Sequence, residues 1–386
     1  MRTLFLLATM PLFVAHLAMA DNNFAVGNCK PRLKHFATIQ TAVSSVPPGS
    51  TVQVCPGVYR EQVTISQPLT LKGIPDSTLA DLAVITVPSD GLTANVTSMF
   101  GESVAAQVLV QTSGGVNITN ITVDGTGGDQ ACAIWLAGIF YASGSSGNVT
   151  RVRTSNQIDG GCGVGIWAEN GGSSNQYVTI QGSSVHDVDG TGISLSSNTP
   201  PTLTVSVRNN FVSPSGSAVG IFATSVNGDI TDNDVSTAVA GVFDLAPGVR
   251  LASNNVTSTE FGVALLAGGT VQSNDITNSG FGVVLGGPGA IVQSNRITLT
   301  TSAAVEFGCN TAIVSHNTIN DAAVGLGDVP LGFSGSNTFA NTGMISTDGC
   351  VAAAAAFSPL QAASPVAKPS SLLQWRTPAN PLGSRP

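Results

Sequence analysis

Asn233-Asp234-Val235, Asn254-Asn255-Val256, Asn274-Asp275-Ile276, Asn295-Arg296-Ile297 and Asn317-Thr318-Ile319 repeat one pattern: asparagine, a variable residue, then an aliphatic. Asn209-Asn210-Phe211 precedes the run and Asn337-Thr338-Phe339 closes it, with Phe in the third place. Successive asparagines are 24, 21, 20, 21, 22 and 20 residues apart. Eight residues after several of them comes a glycine followed by an aliphatic: Gly241-Val242, Gly262-Val263, Gly282-Val283 and Gly325-Leu326. A period of this length, built from short β-type runs, is a solenoid with one turn per repeat. The aliphatics are mostly Val, Ile and Ala without the fixed ladder of a leucine-rich repeat. The gaps do not hold to the multiples of six that a left-handed hexapeptide helix requires.

The fold class expected is therefore all-β, a right-handed parallel β-helix. Its coils tolerate variation in length because the turns between strands absorb it. Coils stack at the strand spacing of about 4.7–4.9 Å, so each Asn can lie over the next and bond along the stack. This Asn ladder reads as structural. The markers Ile121, Val152, Val185 and Phe211 are 31, 33 and 26 residues apart, so the coils within residues 74–200 carry longer loops. Long loops on a solenoid gather on its binding face.

Working outward, residues 1–20 read as a secretory signal: Arg2 is the charged start, 4–17 the apolar body and Ala18-Met19-Ala20 the cleavage site. The apolar run is too short and too interrupted to span a membrane. Residues 21–50 form an N-terminal cap. Within it Phe36, Ile39, Ala42, Val43 and Val46 fall on one helical face, ended by Pro47-Pro48-Gly49. The β-helix is expected over 51–350 and an Ala/Ser/Pro-rich tail over 351–386, where Leu372, Leu373 and Trp375 are the residues able to pack.

Composition fits this architecture. Charged residues are 9% of the chain, against about 25% in an ordinary globular domain. In stacked coils equivalent residues lie side by side, so a row of like charges repels itself. A net charge of −8 argues against nucleic acid as a partner.

The first coil carries a more specific likeness. The pattern Thr38-Ile39-Gln40, Ala42-Val43, Pro56-Gly57-x-Tyr59-x-Glu61-x-Val63-x-Ile65, Leu69-x-Leu71-x-Gly73 resembles the opening of pectin-lyase-like β-helix proteins, among them pectin methylesterases and sugar-hydrolysing or carbohydrate-binding β-helices. The likeness covers 36–73 closely and extends loosely to about 345. It implies the fold and a polysaccharide partner. It does not imply one reaction, because the catalytic motifs of pectin methylesterases, polygalacturonases and pectate lyases are missing. No lysine occurs between Lys72 and Lys368, which excludes a lysine base within the coils.

Six cysteines in an exported chain imply disulfides. Cys132 and Cys162 occupy nearly the same phase in successive coils, where the stacking distance suits a bridge. Cys29–Cys55 would pin the cap to the first coil. That leaves Cys309 and Cys350, two coils apart, whose pairing requires the chain after Phe339 to fold back.

Two charged groups are candidates for chemistry. Arg151, Arg153, His186, Asp187, Asp189 and Arg208 lie on neighbouring long-loop coils. Counting from Val152 and Val185, Arg153 should stack on His186. Removing a proton from C5 of a uronate needs a cation to neutralise the carboxylate and a base to take the proton. Arg151 or Arg153 can do the first, and His186, oriented by Asp187 or Asp189, the second. The alternative is ordinary surface pairing. The second group is the outward row Asp234, Asn255, Asp275, Arg296. Asp234 and Asp275 would be roughly 9–10 Å apart by strand spacing, near the inverting-glycosidase range of about 6.5–9.5 Å. Arg296 beside Asp275 marks that row as structural, since a paired carboxylate is a poor general acid. Trp135, Trp167 and Tyr177 are candidate sugar-stacking platforms, alongside Arg208 as a substrate contact. The sequence points to no particular cofactor and leaves calcium open, since scattered aspartates could gather that ion. Two functional classes stay open: a lyase or hydrolase of acidic polysaccharide, and a non-catalytic glycan-binding or envelope protein on the same scaffold.

Overall fold

The structure, a computed structural model, describes residues 22–75, 82–216, 218–236, 239–257, 260–347 and 350. The expected export signal and the expected tail lie outside the described residues. What is described is a right-handed parallel β-helix. From residue 115 onward each coil is laid down in the same order, as in Ser146–Thr150, Arg153–Ser155 and Gly163–Asn170. First strands build a 13-stranded sheet, and the short second and longer third strands build a 23-stranded one. Every pairing is parallel except Val96–Thr97 against Ser103–Val110.

The turn between the first and second strand sets the phase of every coil. One residue there adopts a left-handed backbone: Asn120, Arg151, Gly182, Asn209, Asp232, Ser253, Ser273, Ser294 and His316 have φ between 51° and 59°. Asn and Gly tolerate this region; the cost to other residues is of order 1–2 kcal/mol. The residue after the turn points into the corner, and there the ladder stands. Asn254 shows the pattern: its Nδ2 donates to Ile230 O (2.8 Å) and Asn274 Oδ1 (2.9 Å), while its Oδ1 accepts from Asn233 N (3.0 Å) and Asn233 Nδ2 (2.9 Å). The amide is fully used although only 2% exposed, which is what makes its burial tolerable.

The ladder begins at Asn210, not at Asn209. Asn209 occupies the left-handed turn, while Asn210 accepts from Ser183 N (2.9 Å) and donates to Asn233 Oδ1 (2.9 Å). Two residues beyond the ladder position an aliphatic enters the core, giving the stack Val185, Val212, Val235, Val256, Ile276, Ile297, Ile319. Each fully buried Val or Ile contributes about 1.5–3 kcal/mol. The repeated glycines mark a close approach between coils: a Cβ on Gly241 would meet Gly262 O at 2.6 Å and Val256 Cγ1 at 2.3 Å.

The helix Ile39–Ser45 buries Ile39, Ala42 and Val43 in the core with Val52, Val63 and Ile65 of the first coil. Thr38 caps it by accepting from Thr41 N (3.1 Å), and Glu61 reaches from the coil to accept from Ile39 N and Gln40 N, both at 2.9 Å. All three disulfides form: Cys29–Cys55, Cys132–Cys162 and Cys309–Cys350, with Cα–Cα distances of 5.6, 5.4 and 5.4 Å. In the last, Cys350 Sγ lies 3.0 Å and Cys309 N 3.2 Å from the same carbonyl, Asp328 O. No described helix is long and apolar enough to cross a membrane.

Candidate functional site

The outer face of the short-strand sheet in coils 121–213 forms a grid. One column runs Thr122, Arg153, Ser184, Phe211 and the next Asp124, Ser155, His186, Ser213. Arg153 therefore stacks on Ser184, and His186 on Ser155; the direct Arg153–His186 stack expected from the sequence is off by two residues. The reason is that Val152 is not in the core-stack phase. It sits at the ladder position, and Thr154 takes the core position that Val185 fills in the next coil. Arg153 and His186 instead become diagonal neighbours on one face, a separation that a long side chain can bridge.

His186 Nδ1 lies 2.7 Å from Asp187 Oδ2, with the side chains 30% and 63% exposed. A proton on Nδ1 shared with that carboxylate leaves Nε2 as the free base. Asp124, two coils away in the same column, was not singled out from the sequence. Its Oδ1 accepts from Thr126 N (3.0 Å), Thr126 Oγ1 (2.7 Å) and Asn156 Nδ2 (2.9 Å). Burial works to raise its pKa, but these hydrogen bonds and the positive field of His186 outweigh it and hold the carboxyl below its usual range. Ser155, small and 5% exposed, lies between Asp124 and His186. The arrangement brings a guanidinium, an imidazole and carboxylates onto one outward face.

The remaining expected site residues have other surroundings. Asp189 does not orient His186: its Oδ2 accepts from Asp159 N and Gly161 N (both 2.8 Å) and its Oδ1 from Gly163 N (3.0 Å). Asp159 repeats the device one loop earlier, its Oδ1 accepting from Gln130 N and from Cys132 N (3.2 Å). Burial, opposed by those two bonds and assisted by nearby Asp129, pushes the Asp159 carboxyl up to about 6. Arg151 Nε donates to Asn120 Oδ1 (3.1 Å) at the turn, and Arg208 Nη2 to Gln181 Oε1 (2.8 Å) on the 13-stranded sheet.

Trp135 and Trp167 are not platforms. They are 5% and 0% exposed, packed with Phe140 on the outer face of the long strands, with ring centroids 6.2 Å (Trp135–Trp167) and 4.8 Å (Phe140–Trp167) apart. Val96 packs against this cluster, and Met99 N donates to Glu169 Oε1 (2.8 Å) at its margin. Tyr177 does present its ring, at 60% exposure, but on the 13-stranded sheet. In the row Asp234, Asn255, Asp275, Arg296 the expected register holds, and Arg296 pairs with Asp275 at 2.7 Å. Among the described residues no group of three or more His, Cys, Asp or Glu is arranged to hold a metal ion.

No protein-family model and no curated protein matches the chain. Solved structures do. The A-module of the Azotobacter vinelandii mannuronan C-5 epimerase AlgE4 matches with 17% identity and a TM-score of 0.58, over 80% of this chain and 90% of that one. A double mutant of the periplasmic alginate epimerase AlgG matches with 13% identity and a TM-score of 0.50, over 80% and 83%. At such identities the likeness is one of fold alone: this chain is built, like them, as a right-handed parallel β-helix.

Proposed function

We propose that this protein is exported and acts on an acidic polysaccharide, using His186, held by Asp187, to take the C5 proton of a uronate while Arg153 neutralises the sugar carboxylate. The observation that carries the reading is the exposed His186–Asp187 pair with Arg153 diagonal to it on one outward face. It is supported by the polysaccharides in the names of the two fold neighbours, and three disulfides suit an oxidising compartment.

The proton passes from C5 to His186 Nε2, and the electron pair left behind spreads into the carboxylate facing Arg153. Two outcomes balance. Expulsion of the C4 oxygen, with a proton returned to it, leaves a C4=C5 double bond and cleaves the chain. Delivery of a proton from water to the opposite face of C5, with His186 releasing its own proton to solvent, inverts that centre and leaves the chain whole. Both need the same base and cation.

A second reading, a non-catalytic glycan-binding protein, is favoured by the openness of the group, which lies on a strand face with Asp187 63% exposed. The test is incubation with polyuronates, following ultraviolet absorbance for the unsaturated product and proton NMR in deuterated water for C5 inversion. Activity of either kind that falls at least ~100-fold in His186→Ala, and is reduced in Arg153→Gln, is the expected result. Silence in both measurements, with retention on an immobilised polyuronate, would establish the binding protein instead.

A further inference from the structure

The N-terminal end of the solenoid is charged oppositely to the chain as a whole. Residues 21–76 hold Lys30, Arg32, Lys34, Arg60 and Lys72 against three carboxylates, Asp21, Glu61 and Asp76, a formal balance of five minus three, or +2, in a chain of −8. Glu61 is committed to the helix N-terminus through Ile39 N and Gln40 N. The ion pairs among the described residues are His186–Asp187, Arg250–Asp229 and Arg296–Asp275, and none involves these five cations.

Two of the five line a cavity. Asn23, Lys30, Pro31, Arg32, Leu33 and Gln53 line an open concavity of about 470 Å³ on the surface. Lys72 stands opposite Gln53 in the strand register and borders it. The loop that supplies Lys30 and Arg32 is tied at both ends. Cys29, the residue before Lys30, is bridged to Cys55, and the strand Lys34–Phe36 pairs with Asn23–Val26. Between them Leu33 N donates to Lys30 O at 3.0 Å. The backbone that carries the two charges is thus tethered, which reduces the ordering cost of association.

We propose that this cavity is a binding site for the carboxylate-bearing sugars of an acidic polysaccharide, distinct from the His186 group. An arginine fork and a lysine point charge suit a carboxylate. The Asn23 and Gln53 amides, joined by Gln53 Nε2 donating to Asn23 Oδ1 at 3.3 Å, suit the hydroxyls beside it. Single-stranded nucleic acid is held by aromatic faces as well as charge, and the lining has none. The strand of Gln53, the part of the site nearest the coil of His186, lies four strand spacings from it, about 19 Å, so the site works whether or not that residue is catalytic.

The test is a titration of the full chain with a fluorescent oligouronate at low and at physiological salt, beside a neutral glucan of equal length and a single-stranded DNA. Variants are Lys30→Gln/Arg32→Gln together, Arg60→Gln as a cation outside the lining, and His186→Ala. Thermal melting of each variant verifies folding. The expected result is salt-sensitive oligouronate binding that falls about tenfold or more in the double variant and persists in Arg60→Gln. Three outcomes overturn the proposal: undiminished binding in the double variant, equal binding of the neutral glucan, or DNA binding as tight as that of the oligouronate and lost with it. Oligouronate binding lost in His186→Ala but kept in the double variant overturns it too, by moving the site.

Discussion

The coils of residues 115–213 and those of 219–327 are wound from the same three strands but secure their corners differently. From Asn210 onward the corner is an unbroken file of asparagines ending at Asn337, buried as far as Asn317, each bonding to the coil before it. In the earlier coils the same position holds Ile121, Val152 and Ser183, and that bonding is reduced to Ser183 Oγ accepting from Val152 N at 3.2 Å. What secures those coils is found elsewhere. Asp189 and Asp159 each clamp the preceding loop through its backbone N–H groups, and a disulfide joins Cys132 to Cys162. A regular corner permits short loops, whereas long loops need their own fastenings. Loops fastened individually can hold groups such as Asp124 and Asp187 on the surface.

If the long-loop coils depend on a second apolar layer, the largest effect of any single truncation should fall there. Trp167 is fully buried on the outer face of its strand, against Phe140 and Trp135. Trp167→Ala should cost about 3–5 kcal/mol, read as a drop in the midpoint of denaturant unfolding. Tyr177→Ala, ten residues away and 60% exposed, should change stability by less than about 1 kcal/mol. Equal effects would mean that the aromatic layer is not what holds these loops.

The ladder predicts a somewhat smaller effect in the tight half, and a contrast between two adjacent asparagine roles. Asn254→Ala removes a buried amide and strands Ile230 O together with the N–H of Asn233. An unsatisfied buried group costs about 1–3 kcal/mol, so a loss of about 2–4 kcal/mol is expected. Asn209→Ala removes an exposed side chain from a left-handed turn and should cost only about 1 kcal/mol. The same loss at both positions would break the assignment of the ladder to Asn210 and its successors.

This contrast also explains how far the sequence could be read. The period, the fold and the disulfide partners are legible because stacking forces like residues to recur at like phase. From the sequence the Cys309–Cys350 pairing needs a fold-back after Phe339; the described strand there, Met344–Ser346, still runs parallel to the coil before it. The candidate site was legible in its members, Arg153, His186 and Asp187, but not in its register. In that coil valine stands at the ladder position and threonine in the core stack, so aligning Val152 with Val185 slips the count by two. Nor could a sequence show that Trp167 faces outward yet is buried, or that Asp189 spends both oxygens on backbone. Such facts depend on which distant segment covers a face. Asp124 was detectable in principle: it stands at the phase of Ser155 and His186, three residues after Ile121, once the turn at Asn120 rather than an aliphatic is used as the marker.

The finest test of the comparison uses pH, because both halves bury carboxyls whose titration ranges differ. In the long-loop half, burial pushes Glu169 up to about 7 against the bonds from Met99 N and Ser143, and Asp159 rises to about 6. In the tight half, Asp244 points into the core with Ala246 N on one oxygen (2.8 Å), and burial drives it up to about 8. Glu306, on the last tight coils, rises to about 7 by burial and the charge of Asp328. A carboxyl whose folded pKa is raised contributes stability that is complete below its unfolded value and is lost as pH rises through the folded one. From pH 4 upward all four should erode stability, but above about 7 the residual slope belongs chiefly to Asp244. Asp244→Asn should therefore melt at a higher temperature than the parent at pH 9, with the gap closing toward pH 4, and its melting curve should flatten between pH 7 and 8. If the slope there is unchanged, Asp244 is not the group that titrates. If Glu169→Gln flattens it instead, the pH-sensitive weak point belongs to the long loops and not to the tight core.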